Sequence, residues 1–134
     1  MEVYKNILVT VDCSQVDKKI LSHAARLARQ NDATLHLIHV VHSHTLDQDR
    51  VLRKKAEKII KEYLKPLKKE EIRFEVIIKS GEPDKEILKE IDEGGYDLVA
   101  MATHGHKFFS DLLFGSVSDV LKHKIDIPLL LIKG

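Results

Sequence analysis

Two short segments hold the residues whose types and spacing could do chemistry. The first is Thr10-Val11-Asp12-Cys13-Ser14. The second is Met101-Ala102-Thr103-His104-Gly105, which continues to Phe114-Gly115-Ser116-Val117-Ser118. The second has the physics of a phosphate cradle, because small residues let main chain come close to a ligand. Gly115-Ser116 is read as opening a helix, whose free N–H groups and positive dipole end favour an anion. Thr103, Ser116 and Ser118 can add hydroxyl donors, and His106 and Lys107 can add positive charge. The plainer reading is that Gly105 makes a turn and Ser116 caps a helix. Asp12 has two readings as well: a group that meets a ligand, or the acceptor of an Asx turn.

Other reactive side chains give weaker signals. Cys13 has no base near it in sequence and reads as a small packing group. His36, His39, His42 and His44 cluster on and after one strand, but the two-residue period sends His36 and His39 to opposite faces. They cannot share a metal from the strand itself, so no metal site is assigned. The segment from Arg53 to Lys69 is rich in lysine with interspersed glutamate, the pattern of a solvated helix face.

The elements that must position these segments alternate along the chain. Strands are expected at 7–11, 35–41, 74–78, 98–102 and 128–132, each a short apolar run. Helices are expected from Ser14 to Asn31-Asp32, from about Asp47 to Pro66, from Pro83 or Asp84 to Gly94-Gly95, and from about Ser116 to Lys122. Repeated strand–helix–strand units imply right-handed crossovers and a parallel sheet covered on both faces. The expected fold is therefore α/β, a doubly wound five-stranded parallel sheet of order 3-2-1-4-5 or the related flavodoxin-like order. In the first order, strands 1 and 4 are neighbours that part at their C-terminal ends. Ligands bind in that crevice, and both candidate segments fall there.

Composition narrows the function classes. The 134 residues suit a single domain over 1–134. With 22 basic and 21 acidic residues, the formal charge is +1, so no nucleic-acid footprint is expected. No apolar run approaches the ~20 residues of a membrane helix, and no membrane association is expected. The single cysteine and the absence of a signal-like leader before Val3 give the expectation of a cytoplasmic protein. A receiver domain would need paired acids after strand 1 and an Asp after strand 3, where Lys79 follows Ile78. Neither a P-loop Gly-x4-Gly-Lys-Ser/Thr nor a dinucleotide Gly-x-Gly-x-x-Gly after strand 1 occurs.

Three features together resemble the universal stress protein family over the whole chain. They are strand 1 ending in Val11-Asp12-Cys13-Ser14, the segment Thr103-His104-Gly105 leading to Leu113-Phe114-Gly115-Ser116-Val117, and the tail Ile127-Pro128-Leu129-Leu130-Leu131-Ile132. The spacing from Gly105 to Gly115-Ser116 matches the family's nucleotide loop, Gly-x2-Gly-x9-Gly followed by Ser or Thr. The resemblance implies an adenine nucleotide alpha hydrolase-like sheet of order 3-2-1-4-5, a homodimer, and ATP as ligand with Mg²⁺ accompanying its phosphates. It implies that Asp12 meets the ribose or adenine region, with Thr10 and Val11 lining the same wall. Val40 is implied to contact adenine through its main chain, with Met101 at the pocket border. Gly105, Gly115, Ser116, Val117 and Ser118 are implied to hold the phosphates.

One position departs from the pattern: Ala102 stands at the first motif glycine. A Cβ there costs about 1 kcal/mol or more if positive φ is required, and is tolerated if only a close approach is needed. The resulting expectation is an adenine-nucleotide-binding regulatory protein of the stress response. Slow or no hydrolysis is expected, since no catalytic base or arginine finger is evident near the loop. The alternative is a dimeric interaction module that binds no nucleotide. Pairing in either case is expected through the C-terminal strand, Leu129, Leu130, Leu131 and Ile132, at the sheet edge.

Overall fold

Ile7, Leu8 and Val9 are each 0% exposed, because helices cover both faces of the strand they form. The computed structural model describes residues 3–103 and 111–134, the side chains of 111–116 excepted. Its elements run β1 (Asn6–Thr10), α1 (Val16–Asn31), β2 (Thr34–Val41), α2 (Leu46–Lys69), β3 (Phe74–Ser80), α3 (Pro83–Gly94), β4 (Leu98–Thr103), α4 (Asp111–Lys124) and β5 (Leu129–Lys133). The strands form one five-stranded sheet of order β3-β2-β1-β4-β5, with every neighbouring pair parallel. Of the two doubly wound orders that alternation allows, the one observed is the one the resemblance implies. Among the described residues, no helix is long and apolar enough to cross a membrane.

The sheet divides the core in two. Ile7, Val9 and Val11 of the β1 segment pack with Ile20, Leu21 and Ala24 of α1 and Ile60 and Leu67 of α2. Leu8, on the opposite face, packs with Ile87 and Ile91 of α3 and Val117 and Leu121 of α4. Apolar residues at successive positions of β1 are thus each buried, as a central parallel strand requires.

The end of α2 and the place of Gly115-Ser116 differ from the sequence expectation. Pro66 lies inside α2, which continues to Lys69. Proline removes one donor and crowds the preceding turn, but Leu67 beyond it is buried in the core, which holds the last turn in place. Helix α4, Asp111–Lys124, already includes Gly115-Ser116, which therefore lies within the helix and does not open it. A glycine costs only about 1 kcal/mol in a helix interior, which the rest of the helix can absorb.

The end of α3 shows where glycine is needed. Gly95 caps the helix at φ +68°, and an added Cβ would have nothing within 4 Å. Gly95→Ala is expected to lower stability by about 1 kcal/mol through backbone strain alone, a loss that urea denaturation can read.

Candidate functional site

The turn between β1 and α1 is built on two carboxylates. Asp12 Oδ1 accepts from the Ser14 amide at 2.9 Å and from Ser14 Oγ at 2.5 Å, so Asp12 does form the expected Asx turn. Ser14 is thereby engaged with Asp12, and the N-cap of α1 is Gln15 without a side-chain bond. The second carboxylate was not anticipated. Asp17, 1% exposed, accepts from the Asp12 amide at 3.1 Å and the Cys13 amide at 2.7 Å. Its Oδ2 also accepts from the Tyr63 hydroxyl of α2 at 2.9 Å. A signal for it was present in the sequence: Asp17 stands at helical spacing with Ile20, Leu21, Ala24 and Ala28 on the buried stripe of α1. A charged residue on an apolar stripe demands partners.

Electrostatics in this turn are dominated by burial. Burial, followed by the charge of Asp12, pushes the Asp17 carboxyl up from 3.8 to about 7, while the main-chain and Tyr63 hydrogen bonds pull it down. Burial, then Asp17 and Asp12, raise the Cys13 thiol to about 12, with Lys55 acting the other way. His39 lies near this thiol, 3.9 Å from Sγ, but its Nδ1 donates to the Val11 carbonyl at 2.9 Å. A thiol held protonated beside an imidazole already committed to main chain is a packing group at neutral pH. Cys13 also adopts φ +66°, a left-handed conformation uncommon for a residue with a Cβ.

The α3/α4 face of the sheet carries most of the remaining residues singled out in the sequence. Val40 at 9% exposure, Met101 at 0% and Val117 at 1% pack in one cluster with Leu8 and Ile38. Thr10 is in register with Ile38 and, by strand alternation, shares this face. Val11 does not: its side chain lies in the opposite cluster with α1 and α2. Thr10 and Val11 therefore do not line one wall, because successive strand residues point apart. Among the described residues, Thr10 Oγ1 is the buried side-chain polar atom without a hydrogen-bond partner, in a residue 2% exposed. A buried hydroxyl left so costs about 1–3 kcal/mol.

Ala102 resolves the departure from the glycine motif. It lies in β4 in register with Ile132, is absent from the residues with positive φ, and turns its methyl into the α1/α2 core. The position asks for no left-handed conformation. Ala102→Gly is expected to lower stability by about 1–2 kcal/mol, from the lost methyl and the added chain freedom, with no gain in nucleotide affinity. Urea denaturation and ligand titration check the two halves; tighter binding would show that the methyl obstructs the site. Ser118 is buried at 4% on α4. Gly115 and Ser116 lie in the same helix, and Gly105 is outside the described residues.

A cavity of about 300 Å³ opens at the ends of β1 and β2, lined by Asp12, Cys13, His39, Val40, Lys55 and Ile59 among others. A larger groove of about 760 Å³ runs between α1 and α2, over Leu21, Ala25, Tyr63 and Leu67, with Lys18 and Arg26 at its rim. It follows the helices away from the strand ends and touches the turn at Cys13, Ser14 and Gln15. His36 bonds Asn6 at 3.1 Å and lies 3.2 Å from Glu75, and the His42 and His44 rings meet edge to face. Among the described residues, no group of three or more His, Cys, Asp or Glu could hold a metal ion.

Comparison with known proteins agrees with this architecture. The model of the universal stress protein family matches residues 3–133. The chain belongs to that family. Universal stress protein YxiE of Bacillus subtilis is 26% identical, over 98% of this chain and 100% of its own. Universal stress protein MJ0577 of Methanocaldococcus jannaschii is 25% identical, over 98% and 96%. Among solved structures, a universal stress protein in complex with cAMP superposes with a TM-score of 0.78 at 18% identity, covering 98% of each chain. One from Archaeoglobus fulgidus in complex with dAMP gives 0.74 at 23%, covering 98% of this chain and 99% of its own. These last likenesses establish the fold.

Proposed function

We propose that this universal stress protein binds an adenine nucleotide where β1, β2 and β4 end, with ATP and its Mg²⁺ as the full ligand. The observation that carries the reading is the buried hydroxyl of Thr10 at this end of the sheet, without a partner among the described residues. Its place beside the crevice of a doubly wound sheet fits a group kept for a ligand. The complexes of similar structures with cAMP and dAMP support the ligand class. In this reading Asp12 meets the ribose, Val40 offers main chain to adenine, and Thr10 and Met101 line the inner wall. Val11 and Ala102 contribute main chain only, because their side chains belong to the α1/α2 core. Gly105, Gly115, Ser116, Val117 and Ser118 hold the phosphates together with the start of α4.

The function is regulatory, in the stress response and in the cytoplasm, and bound nucleotide acts as a structural ligand or signal. The protein pairs with a second copy through β5. Leu129, Leu130, Leu131 and Ile132 are all half-buried on this edge strand, and an apolar edge with open main-chain groups is a template for pairing.

Calorimetric and thermal-shift titration with ATP, AMP and cAMP tests the site. A nucleotide supplied at ~100 times its Kd is expected to add about 2.7 kcal/mol to the unfolding free energy. Absence of heat and of any shift at millimolar nucleotide overturns the reading and leaves the interaction module. Sedimentation tests the pairing, which a monomer at micromolar concentration contradicts.

A further inference from the structure

The turn that presents Asp12 is gripped from outside its own loop. Asp17 lies in the first turn of α1 and accepts from the amides of both Asp12 and Cys13. Tyr63, from α2, donates to the same carboxylate and also lies 3.3 Å from the Ser14 carbonyl. The conformation held is one the chain would not choose freely, since Cys13 sits at φ +66°. Two oxygens accept three hydrogen bonds, and a proton on either oxygen reduces what the carboxyl can accept.

We propose that Asp17, backed by Tyr63, is the positioning residue of the nucleotide site: its carboxylate holds the Asp12–Cys13 main chain so that Asp12 faces the ligand, and the hold loosens when that carboxylate takes up a proton. The proposal rests on the nucleotide reading above. A protonated carboxyl keeps one good acceptor oxygen, so at least one of the bonds to Asp12, Cys13 or Tyr63 is lost. Among the described residues, the titratable groups facing Asp17 are Asp12 and Cys13 from the turn and Tyr63 from α2. Lys55 of α2 acts on the neighbouring thiol. Burial and the negative charge of Asp12 bring the proton uptake of Asp17 near neutrality, so the hold changes within a cellular pH range. Affinity for nucleotide therefore rises with pH.

The test has two arms. In the first, the Asp12 and Cys13 amide resonances of nucleotide-free protein are followed from about pH 6 to about pH 8, around the raised value. They are expected to titrate together in the wild type and stay flat in Asp17→Asn. In Tyr63→Phe the midpoint moves to higher pH, because the carboxylate has lost a donor. The second arm measures affinity for cAMP, whose phosphodiester keeps one charge over this window, with ATP in parallel. Asp17→Asn sets a donor against a backbone donor and is expected to weaken binding about ten-fold and remove its pH dependence.

Flat wild-type amides overturn the positioning role. Unchanged affinity in Asp17→Asn overturns its link to the ligand. A wild type that binds neither nucleotide overturns the nucleotide reading and the ligand half of this proposal, while the amide titration still decides whether Asp17 holds the turn.

Discussion

Raising the pH from about 4 to about 7 is expected to remove stability from the wild-type protein that an Asp17→Asn variant keeps. Asp17 has its folded-state pKa raised from 3.8 to about 7, with burial as the first cause and the charge of Asp12 as the second. Between those values the folded protein binds a proton that the unfolded chain has released. Unfolding free energy then falls as pH rises, with a slope of up to about 1.4 kcal/mol per pH unit for one group. The contribution is fully present below the unfolded value and is lost as the pH passes the folded one. The variant carries no titrating group there and lacks this slope. It also starts from a lower base, because the amide sets a donor group against the backbone donors that the carboxyl oxygens accept from. The informative quantity is therefore the difference between the two curves. Urea denaturation at intervals across the window measures it, and parallel curves would show that Asp17 titrates like an exposed carboxyl.

That residue also marks where sequence reasoning stopped. Alternation left two sheet orders, of which the family resemblance implied the one observed, and the burial of Ile7, Leu8 and Val9 on both faces was visible as a continuous apolar run. Local patterns of this kind need only the period of a strand or a helix. The bond from Tyr63 to Asp17 joins residues 46 apart, and no local pattern reports a pairing of that range. Asp17 itself was legible as a charge on the apolar stripe of α1, while its partners were not. Thr10 and Val11 were assigned to one wall although strand alternation alone separates them, and the structure places Val11 with α1 and α2. The start of α4 was misplaced for another reason. Gly115-Ser116 has the local chemistry of a helix opening, but the helix runs from Asp111 through it, the modest cost of one interior glycine being outweighed.

Thr10→Val is expected to make the protein more stable and a poorer binder. The hydroxyl is buried, has no partner among the described residues and lies on the strand that leads to Asp12. Leaving such a group unpaired costs about 1–3 kcal/mol, and an apolar group of the same shape removes that cost. The variant should therefore gain about 1–2 kcal/mol in urea denaturation. If the hydroxyl is kept for the nucleotide, binding in the wild type satisfies it, and the variant forfeits that bond. Affinity for cAMP or ATP is then expected to fall about ten-fold. Opposite signs in the two measurements separate a functional group from a packing fault, since a core defect improves on repair without loss of binding. Thr10→Ser makes the complementary case, because it keeps the hydroxyl and deletes the methyl. It should lose about 1 kcal/mol of stability and retain the ligand. A site that stores an unmet hydrogen bond in the free protein spends stability so that the ligand alone can complete it.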